Sequence, residues 1–135
     1  MNYVDSNVFI YPLLYQGKKA DNAKKILSEM VDGDIACATS SLTLDEVMWV
    51  IMNETNREKA IQIGKDILNL PNLKILDVKT EHIMQSIALM EKYKKLKPRD
   101  AIHLAVCTTA GIFRFITDDA DFDHISEINR ITLDV

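Results

Sequence analysis

The chain has 135 residues, of which 47% are hydrophobic and 27% charged, the balance of one globular domain and not of a collagen-like, disordered or low-complexity chain. Its formal net charge of −4 has the wrong sign for a protein that holds nucleic acid nonspecifically, yet it leaves room for an enzyme that gathers carboxylates around a metal. Apolar runs such as residues 47–52 fall far short of the roughly 20 residues that a membrane span requires.

In chain order, Tyr3-Val4-Asp5 predicts a short first strand with Asp5 at its end. The opening lacks the basic region of a secretory leader, so the chain reads as cytoplasmic. Ala20, Ala23, Ile26, Leu27, Met30 and Val31 recur at helical spacing, and Gly33 suits the position just past that helix. Residues 35–38 read as a short buried strand. Leu44, Val47, Met48, Val50 and Ile51 predict a helix from Thr43 to about Thr55. A second helix follows Asn56, carries Ala60, Ile63, Ile67, Leu68 and Leu70, and stops at Pro71. Residues 73–78 read as a strand, and Thr80 as the cap of a helix bearing Ile83, Met84, Ile87, Ala88 and Met90. Pro98 fits the first turn of a last helix that runs to Gly111. Strands over 113–117 and 129–135 complete the pattern.

Cys37 falls in the second strand and Cys107 in the last helix, without C-x-x-C spacing; both read as small buried thiols. Strands separated by helices pair in parallel. The expected fold class is therefore α/β, a three-layer α/β/α sandwich around a central, mainly parallel sheet, in a single domain over 1–135.

In such sheets the functional crevice lies beyond the carboxyl ends of the strands. Asp5 ends the first strand there. Glu46 is expected in the first turn of the helix after the second strand, and Asp119 and Asp121 follow the strand that ends at Thr117. Asp100 stands in the first turn of a helix entered through a basic loop. Two carboxylates about 4 Å apart repel by roughly 4 kcal/mol at an effective dielectric near 20, so a group of them needs a cation. An all-oxygen set favours Mg²⁺ or Mn²⁺, one or two ions, and phosphodiester hydrolysis by a metal-activated water is the natural reaction class.

Each acid also has a structural reading. Thr43-Leu-Asp-Glu46 matches a capping box, Asp100 suits the helix dipole, and residues 118–123 could form a solvated turn. Asp5 is hardest to explain that way, because a strand end beside Val4 and Val8-Phe9-Ile10 is a costly place for a lone carboxylate.

Four segments, Val4-Asp-Ser-Asn-Val-Phe-Ile10, Leu42-Thr-Leu-Asp-Glu46, Pro98-Arg-Asp-Ala-Ile-His-Leu-Ala105 and Ile116-Thr-Asp-Asp-Ala-Asp-Phe122, resemble in order the acidic motifs of PIN-domain ribonucleases, above all VapC-type toxins. The resemblance spans nearly the whole chain. It implies catalytic roles for Asp5, Glu46, Asp100 and Asp119, with Asp5, Asp100 and Asp119 holding the metal and Asn7, Thr117 and Asp121 as auxiliaries. Asp118 adds a carboxylate where the family tolerates several residues. The resemblance further implies an Mg²⁺- or Mn²⁺-dependent endoribonuclease leaving a 5′-phosphate, an RNA substrate, a homodimer and a VapB-like antitoxin. PIN domains also serve in RNA processing without an antitoxin.

Lys92, Lys94, Lys95, Lys97 and Arg99 place five cations in eight residues beside Asp100. Lys94, Lys95 and Arg99 are candidates to steer the RNA backbone; a lysine-rich helix end favoured by the dipole is the alternative. His103 shares a helical face with Asp100, but its apolar neighbours make a core histidine the more common reading. Trp49, Met48 and Met52 fit a core or dimer face. The rival from another class is a phosphoacceptor receiver domain with Asp77 at the end of a middle strand; the lack of lysine after Gly111 speaks against it.

Overall fold

A computed structural model describes residues 1–134. In chain order its elements are β1 (Asn2–Val4), α1 (Ser6–Leu14), α2 (Lys18–Val31), β2 (Cys37–Ser40), α3 (Ser41–Glu54) and α4 (Arg57–Leu68). There follow β3 (Leu73–Leu76), α5 (Thr80–Lys92), α6 (Pro98–Thr109), β4 (Arg114–Ile116), a 3₁₀ helix (Ala120–His124) and β5 (Asn129–Ile131).

The strands pair in parallel throughout, in the order β3-β2-β1-β4-β5. The chain winds outward from β1 to β3, then crosses back to add β4 on the other side of β1. With right-handed crossovers, that reversal sends α1 to α4 to one face and α5 and α6 to the other. The side chains agree. Along β1, β2 and β4, Val4, Cys37 and Ile116 join a core with Val8, Met30, Val47 and Ile51, whereas Tyr3, Ala38 and Phe115 join a second core with Leu104, Val106 and Phe122. The period of two in the strands thus serves both layers. Tyr3, Phe115 and Phe122 stack in sequence at centroid distances of 5.0 and 4.6 Å, each pair adding about 0.5–1.5 kcal/mol beyond burial. Cys37 and Cys107 are buried free thiols, and burial pushes them up to about 11 and about 12.

Several expectations shift. Helix α1 is an element that the spacing does not predict, because Val8, Phe9 and Ile10 are all buried and give no amphipathic period, and because Pro12 lies inside the helix. The second strand runs two residues later than expected, since Thr39 and Ser40 are polar yet fully buried. Thr39 is satisfied by donating to the Val4 carbonyl at 2.7 Å and pairing with the Thr43 hydroxyl at 2.7 Å. Helix α3 consequently starts at Ser41, which puts Glu46 in the second turn and undoes the capping box. Lys79, not Thr80, caps α5; its backbone N–H donates to His82 Nδ1 at 2.9 Å. Gly111 turns the chain after α6 at φ +74°, the conformation expected for a residue just past a helix end. The expected strand over 129–135 ends at Ile131, and Val135 lies outside the described residues. Asp77 follows β3, which is an edge strand and not a middle one, and it is exposed. Among the described residues no helix is long and apolar enough to cross a membrane.

Candidate active site

Because winding reverses at β1, the chain leaves the paired carboxyl ends of β1 and β4 toward opposite faces of the sheet and leaves a crevice beyond them, the place where open α/β sheets put their chemistry. Asp5 and Thr117 stand at those two strand ends. Asp5 is buried and caps α1, accepting from the Ser6 N–H at 2.7 Å through Oδ1. Its Oδ2 accepts from the Thr117 hydroxyl at 2.8 Å and lies 3.5 Å from Asn7 Nδ2. Thr117 Oγ1 in turn accepts from Asn7 Nδ2 at 2.9 Å and from the Asp119 N–H at 3.1 Å. Asn7 Oδ1 accepts from the Asp118 N–H at 3.2 Å. Asn7 and Thr117 therefore knit the β1 and β4 ends into one rigid edge that sets the Asp5 carboxylate.

Glu46 reaches the same crevice from α3. Its Oε1 lies 2.6 Å from Nε2 of His103, and that nitrogen is 3.8 Å from Asp5 Oδ1. Among the described residues, Asp5, Glu46 and His103 form the trio whose potential ligand atoms all lie within 4.8 Å of one another. His103 is only 1% exposed. Burial alone would drive its imidazole down, but the Glu46 hydrogen bond and the charges of Asp5, Glu46 and Asp100 push it up. The sequence offers two readings of His103, a core histidine as the more common one and a side chain on the Asp100 face that touches the site; it is both buried and in contact with Glu46 and Asp5. The three-residue spacing from Asp100, which puts both on one side of α6, carries the second reading, while its partner Glu46 is not visible in the spacing.

Asp100 lies in the first turn of α6, half-buried, and stands outside that trio. Burial first, then the carboxylates of Asp5 and Asp119, push its carboxyl up to about 6. Asp119 caps the 3₁₀ helix, accepting from the Asp121 N–H at 2.9 Å. The Asp121 side chain is exposed and lines a cleft of ≈ 590 Å³ together with Asp100, Tyr93, Lys94 and Lys95. Arg99 is exposed at the start of α6.

The acidic run after β4 divides by partner. Asp118 accepts from the Tyr11 hydroxyl at 2.6 Å and pairs with Lys19 at 3.0 Å. Asp123 pairs with Arg130 at 2.6 Å. Asp119 and Asp121 have no cationic partner among the described residues. The chain's own cations thus neutralise Asp118 and Asp123 and leave Asp119, which like Asp100 stands outside the trio, without a cation and near enough to Asp100 for its charge to act there.

That residue set fits a divalent cation. Its donors are mainly hard carboxylate oxygens, it contains no lysine or arginine, and burial together with the neighbouring carboxylates raises Asp100. A chemistry that adds charge to a phosphoryl oxygen matches such a site.

The PIN domain family model matches residues 3–128. Ribonuclease VapC13 of Mycobacterium tuberculosis is 26% identical over 131 residues, 97% of this chain and 99% of that relative. The structure of VapC20 from the same organism, a sarcin-ricin loop cleaving toxin, aligns with a TM-score of 0.79 at 16% identity over 93% of this chain and 95% of that one. A toxin–antitoxin complex from Klebsiella pneumoniae aligns with a TM-score of 0.71 at 24% identity over 98% of each chain. At these identities the solved structures share the fold. With a family match that runs from β1 to the threshold of β5 and so takes in every acid of the crevice, the chain belongs to the PIN domain family.

Proposed function

We propose that this chain is a divalent-metal-dependent endoribonuclease, the toxin of a VapBC-type pair, and that it cuts RNA at the crevice between β1 and β4. The observation that carries the reading is the convergence of Asp5, Glu46, Asp100 and Asp119, drawn from four separate parts of the chain, without a lysine or arginine to neutralise them. The ribonuclease named VapC13 and the toxin–antitoxin complex with the same fold support the same class.

Asp5, Asp100 and Asp119 would hold Mg²⁺ or Mn²⁺, directly or through water, with Glu46 at the rim of the cluster. A bound divalent ion supplies the Lewis acidity that phosphodiester hydrolysis needs. The chain's own part is orientation and charge. Asn7 and Thr117 fix the Asp5 carboxylate, and the Asp121 N–H fixes Asp119. Asp100, titrating near 6, is mostly ionised at neutral pH and is drawn further toward the carboxylate when a cation enters. Lys94 and Lys95, exposed on the cleft that Asp100 borders, together with Arg99, would hold backbone phosphates on either side of the scissile bond. A 5′-phosphate product, a homodimer and an antitoxin partner belong to the same reading.

Purified protein is expected to cleave single-stranded RNA with Mn²⁺ or Mg²⁺ and to stop on chelation. Asp5→Asn should cost about a thousandfold or more, the several kcal/mol that a metal contributes, with an unchanged circular dichroism spectrum. Cleavage that survives chelation, or that Asp5→Asn retains, overturns the reading. Arrested growth on induction, relieved by the product of an adjacent short gene, separates a toxin from an RNA-processing nuclease.

A further inference from the structure

Glu46 is the odd member of the acidic group. Asp5 is held by a backbone N–H and by Thr117, and Asp119 by a backbone N–H. Glu46 sits in the second turn of α3 on a side chain with three rotatable bonds, facing like charge. Among the described residues its one side-chain hydrogen-bond partner is His103. Left free, such a side chain would swing into solvent and away from Asp5.

The ring that holds it has no freedom of its own. His103 is almost wholly buried, with Nδ1 at 2.7 Å from the Tyr3 hydroxyl, which lies 2.8 Å from Ser40 Oγ. The Tyr3 ring meets the imidazole edge-on at 5.7 Å. An ionised Glu46 only accepts, so Nε2 carries the hydrogen between them, whichever way the Tyr3 hydroxyl points. A chain of polar contacts thus runs from β2 through β1 and α6 to α3, and ends on Glu46.

We propose that His103 is a positioning residue: buried against Tyr3 and Ser40, it pins the Glu46 carboxylate beside Asp5 and so completes the cation-holding group before any ion arrives. The proposal rests on the metal-dependent reading above and adds to it the device that preorganises the cluster. Partners of this kind typically change metal affinity by about 10–100-fold.

The test reads Mn²⁺ binding to the purified protein by calorimetric or electron paramagnetic resonance titration, and so does not depend on cleavage. His103→Asn keeps a polar atom near Nδ1 but none at Nε2; it should weaken Mn²⁺ binding by about 10–100-fold. His103→Gln, whose amide nitrogen reaches the Nε2 position, should stay within about threefold of wild type. Glu46→Gln should weaken binding as His103→Asn does, and the double variant should bind no worse than the weaker single one. Tyr3→Phe, which removes the anchor of the ring with little loss of volume, should weaken binding severalfold and serves if His103→Asn does not fold. Wild-type binding in His103→Asn, equal losses in Asn and Gln, or additive losses with Glu46→Gln each overturn the proposal while the metal-dependent reading stands. A wild type that binds no Mn²⁺ overturns both.

Discussion

Asp118 and Asp119 are neighbours in sequence and opposites in circumstance. Burial disfavours the Asp118 charge, but the Tyr11 hydroxyl and Lys19 outweigh it and hold the carboxyl below its ordinary range. Asp119 has no cationic partner among the described residues; its charge instead helps to push Asp100 up to about 6, after burial and Asp5. One carboxylate has been given a cation by the fold and has become part of the scaffold. The group to which Asp119 belongs has been denied one, and folded protein tolerates such crowding only where something else supplies the charge.

The sharpest way to break the comparison is to neutralise the two neighbours separately. Asp119→Asn should lower RNA cleavage by about a hundredfold or more, on the scale of losing a metal contact worth several kcal/mol, with little change in thermal stability. Asp118→Asn should do the reverse. Cleavage should stay within about threefold, while loss of a charge-assisted hydrogen bond from Tyr11 destabilises by about 1.5 kcal/mol, seen as a melting temperature lowered by several degrees. Paired cleavage assays and melts decide it; an Asp118→Asn enzyme as dead as Asp119→Asn would erase the distinction.

A second handle is the pH dependence of stability without metal. The folded-state carboxyl of Asp100 titrates at about 6 against an ordinary 3.8, so the folded chain holds its proton more tightly than the unfolded chain. Ionised Asp100 therefore costs stability at pH values above 6, and the cost fades as pH falls from 6 toward 4. For a half-buried group screened by solvent that cost is about 1 kcal/mol. Asp100→Asn should melt a few degrees above wild type at pH 7.5 in chelator and level with it at pH 4. Added Mn²⁺ should reverse the order, because only the wild type gains from binding it. An Asp100→Asn variant that is less stable at pH 7.5 would show that the carboxylate is satisfied and not crowded.

The same contrast explains what the sequence disclosed. The parallel architecture was legible because the helices α2, α4, α5 and α6 are amphipathic and short stretches such as residues 35–38 and 73–78, each with apolar residues, lie between helices. The acids were legible because topology forces the ends of β1 and β4 together, whatever the details in between. Helix α1 was hidden by its own burial, since a segment apolar on every side has no period to read. The start of α3 was hidden because Thr39, Ser40 and Thr43 are polar but buried, satisfied by partners distant in the chain or across a turn. For the same reason the role of His103 stayed open between core and site: its partners Tyr3 and Glu46 lie 100 and 57 residues away.

The cations beside the cleft divide as the acids do. Lys92 is taken by Glu127 at 3.2 Å, and the Tyr93 hydroxyl is held by the same Glu127. Lys94 and Lys95 are exposed and form no ion pair among the described residues. If free cations mark the RNA path, their contribution is electrostatic and appears in the salt dependence of binding. Single strands give a slope of about 0.7 per phosphate neutralised, so a Lys94→Gln/Lys95→Gln double variant in an inactive Asp5→Asn background should flatten the slope by about 1.4. Lys92→Gln in that background should leave it unchanged, because that charge already has a carboxylate. An unchanged slope in the double variant would assign the lysines to the end of α5 and its dipole instead. A flattened slope confined to the unpaired lysines would show that on both banks of this crevice the unpartnered charges are the ones left for the ligand.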